Sequence, residues 1–242
     1  MKQYLYALAL TVGLFSCSTL GNLPGNTAVV TETEAAQGIR EALDQGVGRG
    51  ISLLNKENGF FNSQFYKILL PPDAQKIEST LRQLGMGSLV DRAILQVNRA
   101  AEDAVGYARP IFVDAIREMT ITDAVAIIRG PRDAATQYFR NKTTEKLVAA
   151  FSPIIKSSLD RFSATKFYSD MVNTYNGFPT TLNKLNPDLP SFVVNRAVEA
   201  LFDQVAQEEA NIRTNAAART TDLLKRVFGW AARTSGSQQA AN

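Results

Sequence analysis

Apolar side chains along this chain return every three or four residues. Nowhere do they alternate one by one over a length that suits a half-buried strand. Ile39, Leu43, Val47, Ile51 and Leu54 form one such series. Leu89, Ala93, Ile94, Val97, Ala101, Ala104 and Val105 form a second, and Val194, Ala197, Val198, Leu201, Phe202 and Val205 a third. At 3.6 residues per turn this spacing stacks a stripe on one side of an α-helix. The expectation is an all-α fold, a single domain of about nine helices packed stripe to stripe.

Local signals divide the chain. Thr31-Glu32-Thr33-Glu34 has capping-box spacing and opens the first helix, which Asn58-Gly59 closes. Gly38, Gly46 and Gly50 lie inside it but off its stripe. A helical glycine costs up to about 1 kcal/mol relative to alanine, and close approach of a neighbouring backbone is the simplest compensation. Residues 60–72 read as extended coil. Helices are expected over 73–84, 89–108 and 110–119, the last with Pro110 in its first turn. Thr122-Asp123 is taken to cap a short helix ending at Gly130-Pro131. Another is expected over 133–140, and then one capped at Thr144 and kinked at Pro153, followed by one over 165–175. Residues 176–190, with three prolines, form the longest stretch without a pattern. Ser191 is taken to cap a long helix to Ile212, and a last helix is expected over 217–228.

The N-terminus carries a different signal. Lys2 precedes an apolar run from Leu5 to Phe15, which ends in Leu14-Phe15-Ser16-Cys17. A run of this length suits the apolar core of a secretory signal and is short for a permanent bilayer span. A large aliphatic three residues before a cysteine and a small residue just before it match a lipobox, although Phe15 is bulkier than the usual occupant of its position. The expectation is a lipoprotein signal peptide over 1–16, acylation at Cys17, a flexible tether over 17–31, the helical domain over 32–230 and a polar tail over 231–242. Thioether diacylglycerol with an N-acyl chain such as palmitate gives stable anchoring. Ser18 rather than aspartate follows the cysteine, so the expected location is the cell envelope, on the periplasmic face of the outer membrane. The membrane is then a partner through the lipid anchor.

Composition narrows the chemistry. Hydrophobic residues make up 45% and charged residues 20%, enough for a sizeable core. The net charge is only +3, with 26 basic and 23 acidic residues interleaved, so no nucleic-acid footprint is present. There is no histidine and one cysteine. A Ser-His-Asp or Cys-His nucleophile cannot be built, and a histidine- or cysteine-rich metal site cannot be either. No cofactor and no metal are expected. Catalysis, if any, would use carboxylates or a Ser-Lys pair.

Several polar groupings invite two readings. Gln137, Tyr138 and Arg140 share one short helix; they either form a pocket for a carboxylate or phosphate, with Arg140 as a forked donor, or they tie down the adjacent loop. Arg219, beside Arg213, Thr220 and Asp222, either pairs with Asp222 at a structural corner or belongs to a partner epitope. Phe178 and Leu182, in the pattern-free stretch, are candidate contact residues on account of its length. Glu208-Glu209 and Glu102-Asp103 are acidic neighbours pointing about 100° apart on their helices, expected to be solvated.

The segments Ala108-Arg109-Pro110-Ile111-Phe112-Val113-Asp114-Ala115-Ile116, Asp133-Ala134-Ala135-Thr136-Gln137-Tyr138-Phe139-Arg140 and Asn215-Ala216-Ala217-Ala218-Arg219-Thr220-Thr221-Asp222-Leu223-Leu224 resemble the domain of unknown function 4197 family. These are helical proteins of Gram-negative bacteria, often with lipoprotein signals. The resemblance spans about residues 34–229. It implies a helical fold and an envelope compartment, and it brings no activity, substrate or site. The functional expectation is a membrane-tethered helical module binding an envelope protein or an apolar ligand held between helices. The alternative is a histidine-independent envelope enzyme.

Overall fold

A computed structural model of the chain describes residues 30–83, 85–161, 163–177, 184–186 and 188–239. Residues 1–16, expected to be a signal peptide, and Cys17, together with Phe178 and Leu182, lie outside these residues. Nine α-helices and no strand are found among the described residues: α1 (Glu32–Leu54), α2 (Gln75–Gln83), α3 (Gly87–Val105), α4 (Ala108–Glu118), α5 (Ile121–Arg129), α6 (Ala134–Arg161), α7 (Ala164–Asn176), α8 (Leu189–Thr214) and α9 (Asp222–Gln239). The all-α expectation holds. None of these helices is long and apolar enough to cross a membrane.

The arrangement follows from which helices have more than one apolar face. Helix α1 packs against α4, α5, α8 and α9, while α6 packs against α3, α4, α7 and α8. Helices α4 and α8 therefore bridge the two. Phe112 of α4, Phe139 of α6 and Phe202 of α8 are fully buried where they meet. Phe112 stands edge-on to Phe139 at 4.9 Å and to Phe202 at 6.1 Å, the geometry favoured by the ring quadrupole.

The capping box of α1 forms as the sequence predicts. Thr31 Oγ1 accepts the Glu34 N–H at 3.1 Å, and Glu34 Oε2 accepts the Thr31 N–H at 3.2 Å. Of Gly38, Gly46 and Gly50 in α1, two are tightly approached, by side chains of neighbouring helices rather than by the backbone expected, while Gly46 has only ordinary contact. A Cβ on Gly38 would stand 2.8 Å from Val227 Cγ2 of α9, and one on Gly50 3.3 Å from Gln204 Cγ of α8. The apolar stripe serves one side of α1, and these glycines serve another.

Four boundaries differ. Thr120, not Thr122, caps α5: its hydroxyl accepts the Asp123 N–H at 3.1 Å while Asp123 Oδ2 accepts the Thr120 N–H at 3.0 Å. Residues 134–161 form one continuous helix with Pro153 inside. Thr144 does not cap; the hydroxyls of Thr143 and Thr144 both donate to carbonyls four residues back, at 2.7 Å, which consumes their capping capacity. Asp188 rather than Ser191 caps α8, accepting the Ser191 N–H at 3.0 Å. The last helix begins later than expected, after a 3-10 turn over Ala216–Ala218, and continues to Gln239.

Candidate functional site

Helix α1 is covered on most of its circumference, but one strip stays open. Asp44, Gln45, Gly48, Arg49, Ser52 and Leu53 fall at helical spacing along it and form the floor of a trough of about 570 Å³, walled by Arg109 of α4 and Glu208 of α8. Gly48 sets how closely α4 walls this open trough. A Cβ there would stand 2.7 Å from Arg109 Nη1, so glycine lets the guanidinium lie against the α1 backbone. Arg109 Nη2 then reaches Asp44 Oδ1 at 3.1 Å, with both side chains about half exposed.

The opposite wall is drier. Glu208 is 14% exposed and faces Arg49 Nη1 at 3.6 Å. Its Oε2 is buried and accepts no hydrogen bond from the described residues. This oxygen is the one that faces Arg49 Nη1, just beyond hydrogen-bond distance, so the ion pair offsets its burial while its hydrogen-bonding capacity stays open to an incoming N–H. At one end, Gln45 Nε2 donates to Ala218 O at 2.9 Å and Thr220 Oγ1 donates to Gln45 Oε1 at 2.5 Å, fixing the turn before α9 to α1. Leu53, 43% exposed, also lines the trough.

The interior offers far less room. The apolar cavity among Ile39, Leu43 and Val47 of α1, Ile127 of α5, Val205 of α8 and Phe228 of α9 measures about 20 Å³, the size of one water molecule. An acyl chain does not fit it.

The sequence-selected residues have separate partners. Gln137 Nε2 donates to Asp133 Oδ2 at 3.1 Å, and Tyr138 OH donates to Ala115 O at 3.0 Å. Arg140 lies over the Phe202 ring at 4.7 Å. Neither Gln137, Tyr138, Arg140 nor Arg219 lines the trough or the apolar cavity. Burial pushes the Tyr138 hydroxyl up, aided by the Asp123 and Glu118 carboxylates and opposed by Arg40. Arg219 does not pair with Asp222. It donates to Ile212 O at 3.0 Å and Arg213 O at 2.9 Å, satisfying carbonyls of the last turn of α8, and lies 5.8 Å from the Phe228 ring. Asp222 pairs with Lys225.

The expectation that Glu102 and Glu209 are solvated is corrected: they are 4% and 8% exposed. Glu102 Oε1 accepts the Phe60 and Phe61 N–H groups at 3.1 and 3.2 Å, and Arg99 faces Oε2 at 2.6 Å. Glu209 accepts the Ala135 and Thr136 N–H groups and the Thr136 hydroxyl, capping α6 from another helix. Arg213 holds Glu209 Oε1 at 2.8 Å and donates to Ile127 O near the end of α5. The legible signal is position. Ile94, Asn98, Glu102 and Val105 share one stripe, as do Leu201, Val205, Glu209 and Ile212, and a polar group on a buried stripe must find partners.

The groups whose proton affinity the fold moves lie away from the trough. Tyr66 is pushed up to about 12, by burial first and then by its hydrogen bond to Asp203. Asp123 is held low by the Thr120 hydroxyl and N–H, and Asp160 by Lys156 first and then Thr165. Among the described residues no three metal-ligating side chains cluster.

The model of one protein family, described as a protein of unknown function (DUF4197), matches residues 29–229, from just before α1 into α9. No curated protein and no solved structure matches the chain.

Proposed function

The chain belongs to the DUF4197 family, and from that premise we propose that it is an exported, lipid-anchored module of the cell envelope whose α1 trough docks a partner protein. In this reading residues 1–16 are removed, Cys17 carries the acyl chains, and the body sits at the periplasmic face of the outer membrane. The observation that carries the docking is the open strip of α1: a helix otherwise enclosed keeps one uncovered line, walled by charges of both signs. The open, charge-walled trough suits a partner's surface, while the apolar cavity beneath α1, at about 20 Å³, is too small for an acyl chain. The fold's shifted groups are each accounted for by a cap, a salt bridge or a buried tyrosine, which favours binding over acid–base chemistry.

The test has two arms. Fatty-acid labelling in cells should mark the wild-type protein and leave Cys17→Ala unlabelled and uncleaved. A photo-crosslinking residue at Leu53, in the trough, should give a discrete adduct that the same residue at Glu145, on the exposed side of α6, does not. Equal adducts from both positions would remove the trough as the docking site.

A further inference from the structure

The segment after α1 presents a second surface unrelated to the trough. From Phe65 to Leu70 burial alternates residue by residue. Tyr66, Ile68 and Leu70 turn inward: Tyr66 OH donates to Asp203 Oδ2 at 2.8 Å, and Asn98 Oδ1 and Nδ2 grip the Ile68 N–H and C=O at 2.8 Å each. Phe65, Lys67 and Leu69 therefore turn outward, with Phe65 82% and Leu69 47% exposed. The display is rigid. Ser63 Oγ accepts the Phe65 and Tyr66 N–H groups at 3.2 and 3.0 Å, and Gln207 donates to Tyr66 OH at 2.7 Å. Phe65 and Leu69 together form a small apolar display on a firmly tied turn, next to a charged notch.

Beside Phe65 lies a notch of about 160 Å³ lined along one face of α8 by Arg196, Glu199, Ala200 and Asp203. Arg196 and Glu199 pair at 2.7 Å but are 45% and 59% exposed. An exposed pair of this kind contributes little by itself, so both ions can exchange partners at small cost. With Asp203 held by Tyr66 and Gln207, the notch thus offers one exchangeable cation and one anion, Arg196 and Glu199, next to an apolar knob. That is the complement of a lipid whose headgroup carries a phosphate and an ammonium above an apolar chain.

We infer that Phe65, Lys67 and Leu69 seat the body on the bilayer surface, with Phe65 and Leu69 entering the headgroup–acyl boundary and the notch taking the phosphate and ammonium of zwitterionic ethanolamine lipids. The outward apolar–lysine–apolar pattern fits this, since a lysine can lay its stem along the apolar region and keep its charge at the surface. Two apolar side chains fall far short of the ~800 Å² per partner of a stable protein interface, yet they suffice for a chain already tethered at high local concentration. The inference rests on the reading of Cys17 as an acyl anchor. The tether from Ser18 to Thr31 spans at most roughly 45 Å, and α1 then rises about 34 Å to the far end, where this segment begins. Contact at both ends lays α1 along the membrane.

The acylated full chain carrying Phe65→Cys, labelled with an environment-sensitive dye, is reconstituted into vesicles of ethanolamine and choline lipids with brominated acyl chains. Glu145→Cys, labelled likewise, is the control. Both positions are exposed, so the fold survives. The expected result is a blue shift and quenching at 65 that persist in high salt, with neither at 145. A dye at 65 that stays in water while the protein remains vesicle-bound would overturn the inference and leave the anchor intact. A chain that fails to bind vesicles and carries no acyl group would overturn the anchor itself. A blue shift without bromine quenching would indicate a protein contact instead, and a requirement for anionic lipid or low salt would refute the zwitterionic headgroup. Either result sinks the proposal.

Discussion

Removing the buried Glu209 carboxylate should destabilise the protein more than any single change of an exposed residue near it to alanine, and the structure sets the size. Glu209 is 5% exposed at its side chain and Arg213 14%. Glu209→Ala deprives the Ala135 and Thr136 N–H groups of their acceptor, and each such loss is about 1 kcal/mol for a helix cap. It also strands a mostly buried guanidinium, and breaking one partner of a buried pair costs about 3–5 kcal/mol in all. Part of this is shared, because Arg213 keeps Ile127 O at 2.8 Å. The expected cost is therefore about 4 kcal/mol, or roughly 8–16 °C in melting temperature for a domain of this size. Glu209→Gln retains one acceptor oxygen and should cost about half as much. Urea unfolding followed by circular dichroism measures both, with an unchanged m-value confirming that only stability moved. Replacing Glu209 and Arg213 together by leucine should cost no more than Glu209→Ala, since no charge is then left alone. A loss below about 1 kcal/mol for Glu209→Ala would refute the view that this carboxylate caps α6.

The α1 glycines should separate by what faces them. Gly46→Ala meets only ordinary contact at 3.5 Å and should stabilise by about 0.5–1 kcal/mol. Gly38→Ala drives a methyl to 2.8 Å from Val227 and should destabilise by about 1 kcal/mol after its propensity gain. Tyr66, whose pKa is raised to about 12, contributes stability that is complete below pH 10 and is lost as pH rises from 10 to 12. Ultraviolet titration should show one late tyrosine that Tyr66→Phe removes. Asp123 is shifted the other way: its contribution holds above the ordinary aspartate range and fades as pH falls through and below it. Thr120→Ala should therefore cost about 1 kcal/mol at neutral pH and less in acid, measured by unfolding at each pH.

What could be read from the sequence was whatever local spacing alone determines. The stripe of α1 and its Thr31 cap depend on residues within a few turns of one another, and both appear as expected; what faces its glycines, Val227 and Gln204, lies on other helices. Helix α6 was divided because Thr144 looks like a cap, and only its hydroxyl bond to the Arg140 carbonyl of the preceding turn shows otherwise. Thr120-Ile121-Thr122-Asp123 offered two threonines, and the three-residue spacing to Asp123 selects the first. The trough was invisible because Arg109 and Glu208 lie far from Asp44 and Arg49 along the chain. Gln137, Tyr138 and Arg140 looked like a site because they are neighbours in sequence, but a helix turns neighbours apart. Glu102 and Glu209 were expected on a solvated face because they were read beside their adjacent acids, when the informative relation was to the apolar residues three and four positions away.

The docking strip of α1 is tested most directly by the Leu53 crosslink repeated in a Gly48→Leu background. The new side chain displaces the flexible tip of Arg109 and fills the trough floor. Gained helix propensity and the lost exposed pair nearly cancel, so the melting temperature should move little. The account predicts loss of the adduct with the fold intact. An adduct of wild-type yield from the filled trough would contradict it.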